Sequence, residues 1–145
     1  MIALHLRPYR PEDEAAVVDL WQACHLAVPQ NDPRRDIARK LRVNPEWLLV
    51  GEGGGKIVAT CMVGYEGHRG WINYLAVAPE WQRSGYGRQM MAEAERLLRQ
   101  AGCAKINLQV RASNVAVVQF YRRLNFKVDD VVSMGKRLEP DQPPS

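Results

Sequence analysis

The stretch Leu75-Ala76-Val77-Ala78-Pro79-Glu80-Trp81-Gln82-Arg83-Ser84-Gly85-Tyr86-Gly87 decides how the rest of the chain is read, because the hydrophobic period changes within it. Upstream, Trp71 to Val77 is an apolar, partly β-branched run that predicts a strand. Downstream, Gly87, Met90, Met91, Ala94, Leu97, Leu98 and Ala101 recur at helical spacing, which predicts a helix with one buried face, ended by Gly102. A strand that passes through a glycine-containing loop into a helix aims backbone N–H groups at the mouth of the loop, where the helix dipole favours an anion. Gly85 and Gly87 let the main chain approach that anion, and Arg83 and Arg88 add charge-assisted contacts. The expected ligand carries a pyrophosphate. It is not read as a nucleotide: no GxxxxGK run occurs, and Met90 stands where a dinucleotide fingerprint needs its third glycine.

Working outward, residues 3 to 7 predict a strand, and Pro11-Glu12-Asp13-Glu14 opens a helix whose buried stripe begins with Val17, Val18 and Trp21. The segment Val28-Pro29-Gln30-Asn31-Asp32-Pro33 is expected to break it before a second helix, Arg34 to Val43. Trp47 to Val50 and Lys56 to Tyr65 flank Gly53-Gly54-Gly55 and predict a hairpin. Lys105 to Arg111 reads as strand, Asn114 to Leu124 as helix, and Val131 to Leu138 as a last strand. The order β, α, α, β, β, β, α, β, α, β describes an α/β sandwich around a mixed sheet. One domain is expected over residues 1–138, with residues 139–145 as a flexible tail.

Composition narrows the function. With 46% hydrophobic and 25% charged residues in 145, the chain is globular rather than disordered. The net charge of +4 lies wholly in residues 71–145, which carry eleven basic and seven acidic side chains, so an anionic ligand prefers that half. No run of five or six basic residues marks a nucleic-acid partner. Cys24, Cys61 and Cys103 form no CxxC pair, and His5, His25 and His68 lack ligand spacing, so neither a disulfide framework nor a metal is expected. No signal-peptide core or membrane span is read at the N-terminus, and the expectation is a reduced, cytoplasmic protein with no membrane partner.

The loop does not stand alone. Gln82-Arg83-Ser84-Gly85-Tyr86-Gly87 resembles the Gln/Arg-x-x-Gly-x-Gly/Ala acyl-CoA signature of the GCN5-related N-acetyltransferase (GNAT) family. Asn114 to Phe126 is similar to that family's Asn-x-x-Ala, Phe-Tyr and Leu-Gly-Phe pattern, with Asn125, which tolerates left-handed φ, in place of the glycine. Gly64 to Gly70 and Gly135 to Leu138 resemble the bacterial YpeA-like subgroup. The resemblance implies a mostly antiparallel central β-sheet flanked by about four helices, with a β-bulge split at the acyl-CoA cleft. It implies acetyl-CoA as acyl donor and transfer of the acetyl group to a primary amine by direct attack in a ternary complex, without a metal. Leu75, Ala76, Val77, Gln82, Arg83, Ser84, Gly85, Tyr86, Gly87, Arg88 and Asn114 would bind the acyl-CoA, although Asn114 fits a helix cap equally well.

Tyr121 matches the family's general acid, which protonates the departing thiolate, and it also lies on the apolar stripe of its helix, where a core tyrosine looks the same. The base is not identified. Trp71 to Val77 lacks the carboxylate that many relatives place there, which leaves Glu66, His68, Asp32 or an amine that arrives neutral. Small polyamines, antibiotics, peptide N-termini and lysines remain open as acceptors, and Asp32, Asp36 and Glu66 would suit a cationic one if they faced the cleft. The missing carboxylate also admits a non-catalytic acyl-CoA-binding or regulatory module. Monomer and homodimer both fit.

Overall fold

Side chains at Leu48, Leu49 and Val50 are buried on both faces of their strand, so the sheet they belong to must be covered on both sides. The computed structural model describes residues 3–27 and 31–140. In it β1 (His5–Pro8), β2 (Leu48–Gly53), β3 (Lys56–Tyr65), β4 (Gly70–Val77) and β5 (Ile106–Leu108) lie side by side in chain order. Neighbours among β1 to β4 are antiparallel, and β5 joins β4 in parallel. Gly54 and Gly55, at φ 60° and 79°, form the left-handed pair that the two-residue β2–β3 turn requires.

Four helices complete the layers: α1 (Glu14–Ala23), α2 (Pro33–Lys40), α3 (Tyr86–Gln100) and α4 (Val115–Arg123). Val17, Val18 and Trp21 of α1 and Ile37 of α2 share a core with Val50, Val58 and Ala76. On the other face, Met90, Met91, Ala94 and Leu98 of α3 and Tyr121 of α4 meet Leu49, Ala59, Cys61, Val63 and Ile72. Each buried Val, Leu, Ile or Met among these contributes about 1.5–3 kcal/mol, and these burials hold the helices to the sheet.

Helices α1, α3 and α4 end alike. His25, Gly102 and Asn125 are left-handed (φ 60°, 86° and 71°), and the N–H of the residue after each reaches back to Trp21, Leu98 and Tyr121 respectively. The tolerance argued for Asn125 is therefore used. Helix α1 ends at this His25 corner, ahead of the expected break, of which Val28, Pro29 and Gln30 lie outside the described residues.

The strand expected over Val131 to Leu138 is not formed. From Lys127 to Pro140 every residue is exposed. Side chains tie this segment down instead: Asp129 accepts from Lys105 and Asn107, both at 3.0 Å, and Gln109 donates to Ser133. Adjacent Val131 and Val132 cannot face one side of a pleat together, and the three residues of β5 offer little ladder to extend. Beyond it, Arg39 pairs with Glu139 at 2.9 Å and Arg35 donates to the Pro140 carbonyl at 3.0 Å, anchoring the start of the expected tail. Residues 141–145 lie outside the described residues.

Candidate active site

Strands β3 and β4 lose register in mid-sheet. Thr60 faces Ala76 but Met62 faces Asn73, so Tyr74 and Leu75 bulge from β4 against the single residue Cys61. Tyr74 is left-handed at φ 51°, a conformation that costs a side-chain-bearing residue about 1–2 kcal/mol. Its surroundings hold it there. Trp21 Nε1 donates to Thr60 Oγ1 at 2.8 Å, and the Thr60 hydroxyl donates to the Tyr74 carbonyl at 2.8 Å. The Tyr74 ring stacks on Trp21 at 3.8 Å, and its hydroxyl donates to Asp36 Oδ2 at 2.5 Å. The bulge is thus fixed to α1 and α2. Strand β5 leaves at the same place: the parallel ladder ends at Ile72 and Leu108, so from Asn73 onward β4 has no ladder partner on that side. This is a split in the sheet, where backbone groups of β4 face no neighbouring strand on that side.

The loop follows directly. The Val77 carbonyl accepts from Gln82 Nε2 at 2.9 Å and from Cys24 Sγ at 3.2 Å, so Gln82 closes the loop and this carbonyl is already engaged. Arg83 and Gly85 are left-handed (φ 63° and 83°), and α3 starts at Tyr86 with no side-chain cap and no acidic residue in its first turn. Helices α2 and α4 are capped: Asp32 accepts from the Arg34 and Arg35 N–H groups at 3.0 and 3.3 Å, and Asn114 from the Val117 N–H at 3.3 Å. An anion is therefore favoured at α3, with Arg83 and Arg88 exposed beside it.

The two glycines divide the work. A Cβ at Gly85 would meet nothing within 4 Å, whereas one at Gly87 would come 3.1 Å from Phe120 Cζ. Gly87 thus also serves the packing of α4 on α3, a constraint beyond the anion approach expected of it. Tyr86 is only 1% exposed and stacks on Trp81 at 5.8 Å, so its side chain belongs to the core and its backbone faces the loop.

Tyr121 is 8% exposed and sits edge-on to Phe120 and Phe126, at 5.1 and 5.5 Å. Burial, with the nearby Cys61 thiol, raises its pKa above the ordinary phenol value, so it stays protonated. Glu66 lies before the opposite end of β4, in the turn that leads to Gly70. Its Oε1 accepts from the Arg69 and His68 N–H groups at 2.6 and 3.0 Å, and the Arg69 bond chiefly holds its pKa below the usual range. Neither Glu66 nor His68 is carried to the bulge. Asp32 is engaged as a cap, and Asp36 holds Tyr74 and pairs with Arg39 at 2.9 Å. Of the carboxylates expected to attract a cationic acceptor, Asp32 and Glu66 are thus committed elsewhere, and Asp36 is held by Tyr74 and Arg39.

A cavity of about 420 Å³ opens beside the bulge, lined by Asn31, Asp36, Arg39, Lys40, Met62, Asn73 and Tyr74. Sequence reasoning missed the Trp21–Thr60–Tyr74 chain and Lys40, since nothing local separates Thr60 from any strand threonine. Among the described residues no cluster of three or more metal-ligating side chains occurs, no helix is long and apolar enough to cross a membrane, and Cys24, Cys61 and Cys103 are unpaired.

Known proteins share this fold. The profile of the Acetyltransferase (GNAT) family matches residues 14–126. An acetyltransferase of Pectobacterium atrosepticum is 41% identical over 139 residues, covering 96% of this chain and 99% of its own. The ribosomal-protein-S18-alanine N-acetyltransferase of Escherichia coli superposes with a TM-score of 0.72 at 25% identity, over 86% of this chain and 78% of that one. A GNAT family acetyltransferase of Brucella melitensis, solved in complex with acetyl-CoA, shares the fold at a TM-score of 0.64 and 24% identity, over 87% and 84% of the two chains. With the split sheet, the loop and the uncapped helix all inside the matched region, the chain belongs to the GNAT family of acetyltransferases.

Proposed function

We propose that the protein moves an acetyl group from acetyl-CoA to a primary amine by direct attack within a ternary complex. The observation that carries this is the open N-terminus of α3 behind left-handed Gly85, next to the stretch of β4 that has lost its β5 partner. The loop Gln82 to Arg88 would bind the pyrophosphate through backbone N–H groups, with Arg83 and Arg88 adding charge. Leu75 and Ala76, at the split, would hold the pantetheine arm with their main chain, while Val77 and Gln82 would shape the turn. Acetyl-CoA supplies a thioester: as the amine nitrogen bonds to its carbonyl carbon, the carbon–sulfur bond breaks and CoA leaves as thiolate.

Tyr121 would give the thiolate its proton. Burial keeps that proton on the phenol at neutral pH, and no described residue hydrogen-bonds the hydroxyl. With Glu66, Asp32 and Asp36 committed to other contacts, the amine would enter neutral, and the proton its nitrogen sheds as the amide forms would pass to water. We assign this activity to one domain, residues 1–138, acting in the cytoplasm as a monomer or homodimer.

The test is titration calorimetry with acetyl-CoA, with CoA and ATP as controls, followed by an acceptor screen. Micromolar binding of acetyl-CoA without ATP binding is expected, together with acetylation of at least one amine. Binding without any transfer would instead identify an acyl-CoA-binding module, and absence of binding would refute the loop assignment.

A further inference from the structure

Lys40, the last residue of α2, is 8% exposed, yet no carboxylate among the described residues lies within ion-pair distance of its ammonium. One of its three protons goes to the Val63 carbonyl at 2.5 Å. The nearest acids do not neutralise it: Asp36 is taken by Tyr74 and Arg39, and Glu46 acts only from a distance, so burial dominates and pulls the lysine's pKa down. A buried cation with a single neutral acceptor is expensive to keep, and an arriving anion lowers that cost while keeping the lysine charged.

The place where an anion could arrive is the cavity beside the bulge. Lys40 lines it together with Asn73, the β4 residue paired with Met62 next to the bulge, and Tyr74, within the bulge, and Asn31 contributes a second carboxamide. Its size suits a small molecule. The adjoining cavity adds Lys136, Arg137 and Glu139 around the shared Arg39, so the combined lining sets four cations against two carboxylates. That field repels a polyamine and attracts an acid.

We propose that Lys40 is the specificity-determining residue of the acceptor pocket and that the acceptor is a small amine bearing a carboxylate, an amino-acid-like molecule. This rests on the acetyl-transfer reading and adds the substrate class. In the cavity beside the bulge Lys40 and Arg39 stand against Asp36, and this net single positive charge matches the single charge and the oxygen lone pairs of a carboxylate better than it matches a phosphate dianion. Seating the carboxylate on Lys40 turns the amine toward Asn73 and the bulge.

The experiment measures kcat/KM, at saturating acetyl-CoA, for the free amino acids, their carboxamides, the corresponding decarboxylated amines, spermidine and O-phosphoethanolamine. The expected result is that the best amino acid exceeds its own amide at least tenfold, chiefly through KM. Lys40→Gln should erase that ratio and Lys40→Arg should retain part of it. Melting curves of both variants establish folding, and a purely structural lysine would lower the melting temperature of Lys40→Gln while leaving the acid-to-amide ratio intact. Preference for amides, spermidine or O-phosphoethanolamine, failure to acetylate any amino acid, or an unchanged ratio in Lys40→Gln would overturn the proposal. Acetyl-CoA calorimetry on the same samples separates this from failure of the transfer reading. If acetyl-CoA does not bind, the melting-temperature rise produced by the same amino acids still decides the carboxylate site: present in the wild type and absent in Lys40→Gln, it supports the site, and absent in both, it refutes it.

Discussion

Helices α3 and α4 touch where Gly87 of the first meets Phe120 of the second, yet their N-termini are finished in opposite ways. Asn114 turns its side chain onto the Val117 N–H and closes α4 with the chain's own oxygen. Gly85 has no side chain to turn, and α3 is left without a cap. A helix that satisfies its own first donors is a structural element. One that leaves them to the loop favours an anion there, and α3, unlike the likewise uncapped α1 with Glu14 in its first turn, also has no acidic residue in that turn.

The contrast can be broken experimentally. Gly85→Glu should have the largest effect, since it places a side chain and a negative charge at a left-handed position facing the anion. Acetyl-CoA affinity measured by calorimetry is expected to fall about a hundredfold or more, equivalent to about 2.7 kcal/mol. Tyr121→Phe should lower turnover on the order of a hundredfold with acetyl-CoA affinity unchanged, because only a proton is withdrawn; unaltered turnover would return Tyr121 to the core. Gly87→Ala presses a methyl group against Phe120, so thermal denaturation should show a loss of about 1–2 kcal/mol despite alanine's better helix propensity, and a variant more stable than wild type would show that Phe120 yields to the methyl group.

Asn114→Ala sharpens the comparison from the other side. Loss of the α4 cap should cost about 1 kcal/mol of stability and leave acetyl-CoA binding intact, whereas weakened binding would reassign Asn114 to the ligand. Glu66→Gln should have the smallest effect. Turnover is expected to stay within about twofold, since a carboxylate bound in its own turn abstracts no proton from the amine. Its depressed pKa fixes the sign of any pH effect. The ionised form supports the turn at neutral pH, and that support disappears only as pH falls through the lowered value, so the wild-type pH–rate profile above pH 6 should be matched by the variant.

Much of this molecule is legible in its sequence because it depends on local periodicity. The α3 stripe from Met90 to Leu98, the Gly54-Gly55 turn and the left-handed Asn125 are each dictated by neighbours a few residues away. Val131 to Leu138 misled for the complementary reason: a β-like composition does not make a strand unless another strand offers it a ladder. Gly87 carries a further constraint that its own stretch does not show, because the group it accommodates, Phe120, comes from a different helix. The bulge at Tyr74 was invisible locally, since its positive φ is supported by Trp21, Thr60 and Asp36 from three other elements.

What the amino-acid order determined alone is the fold class, the order of the elements through α4, and the loop-to-helix device at Gln82 to Gly87, since each follows from spacing along one stretch of chain. What only the tertiary structure decided is which groups are occupied and which remain open. Asp32, Asp36 and Glu66 read alike as acidic residues until their hydrogen-bond partners are known. Lys40 reads as an ordinary basic residue at a helix end until burial removes its water and leaves it without a counter-ion. Charge satisfaction depends on distances between segments remote in sequence, and those distances exist only once the chain has folded.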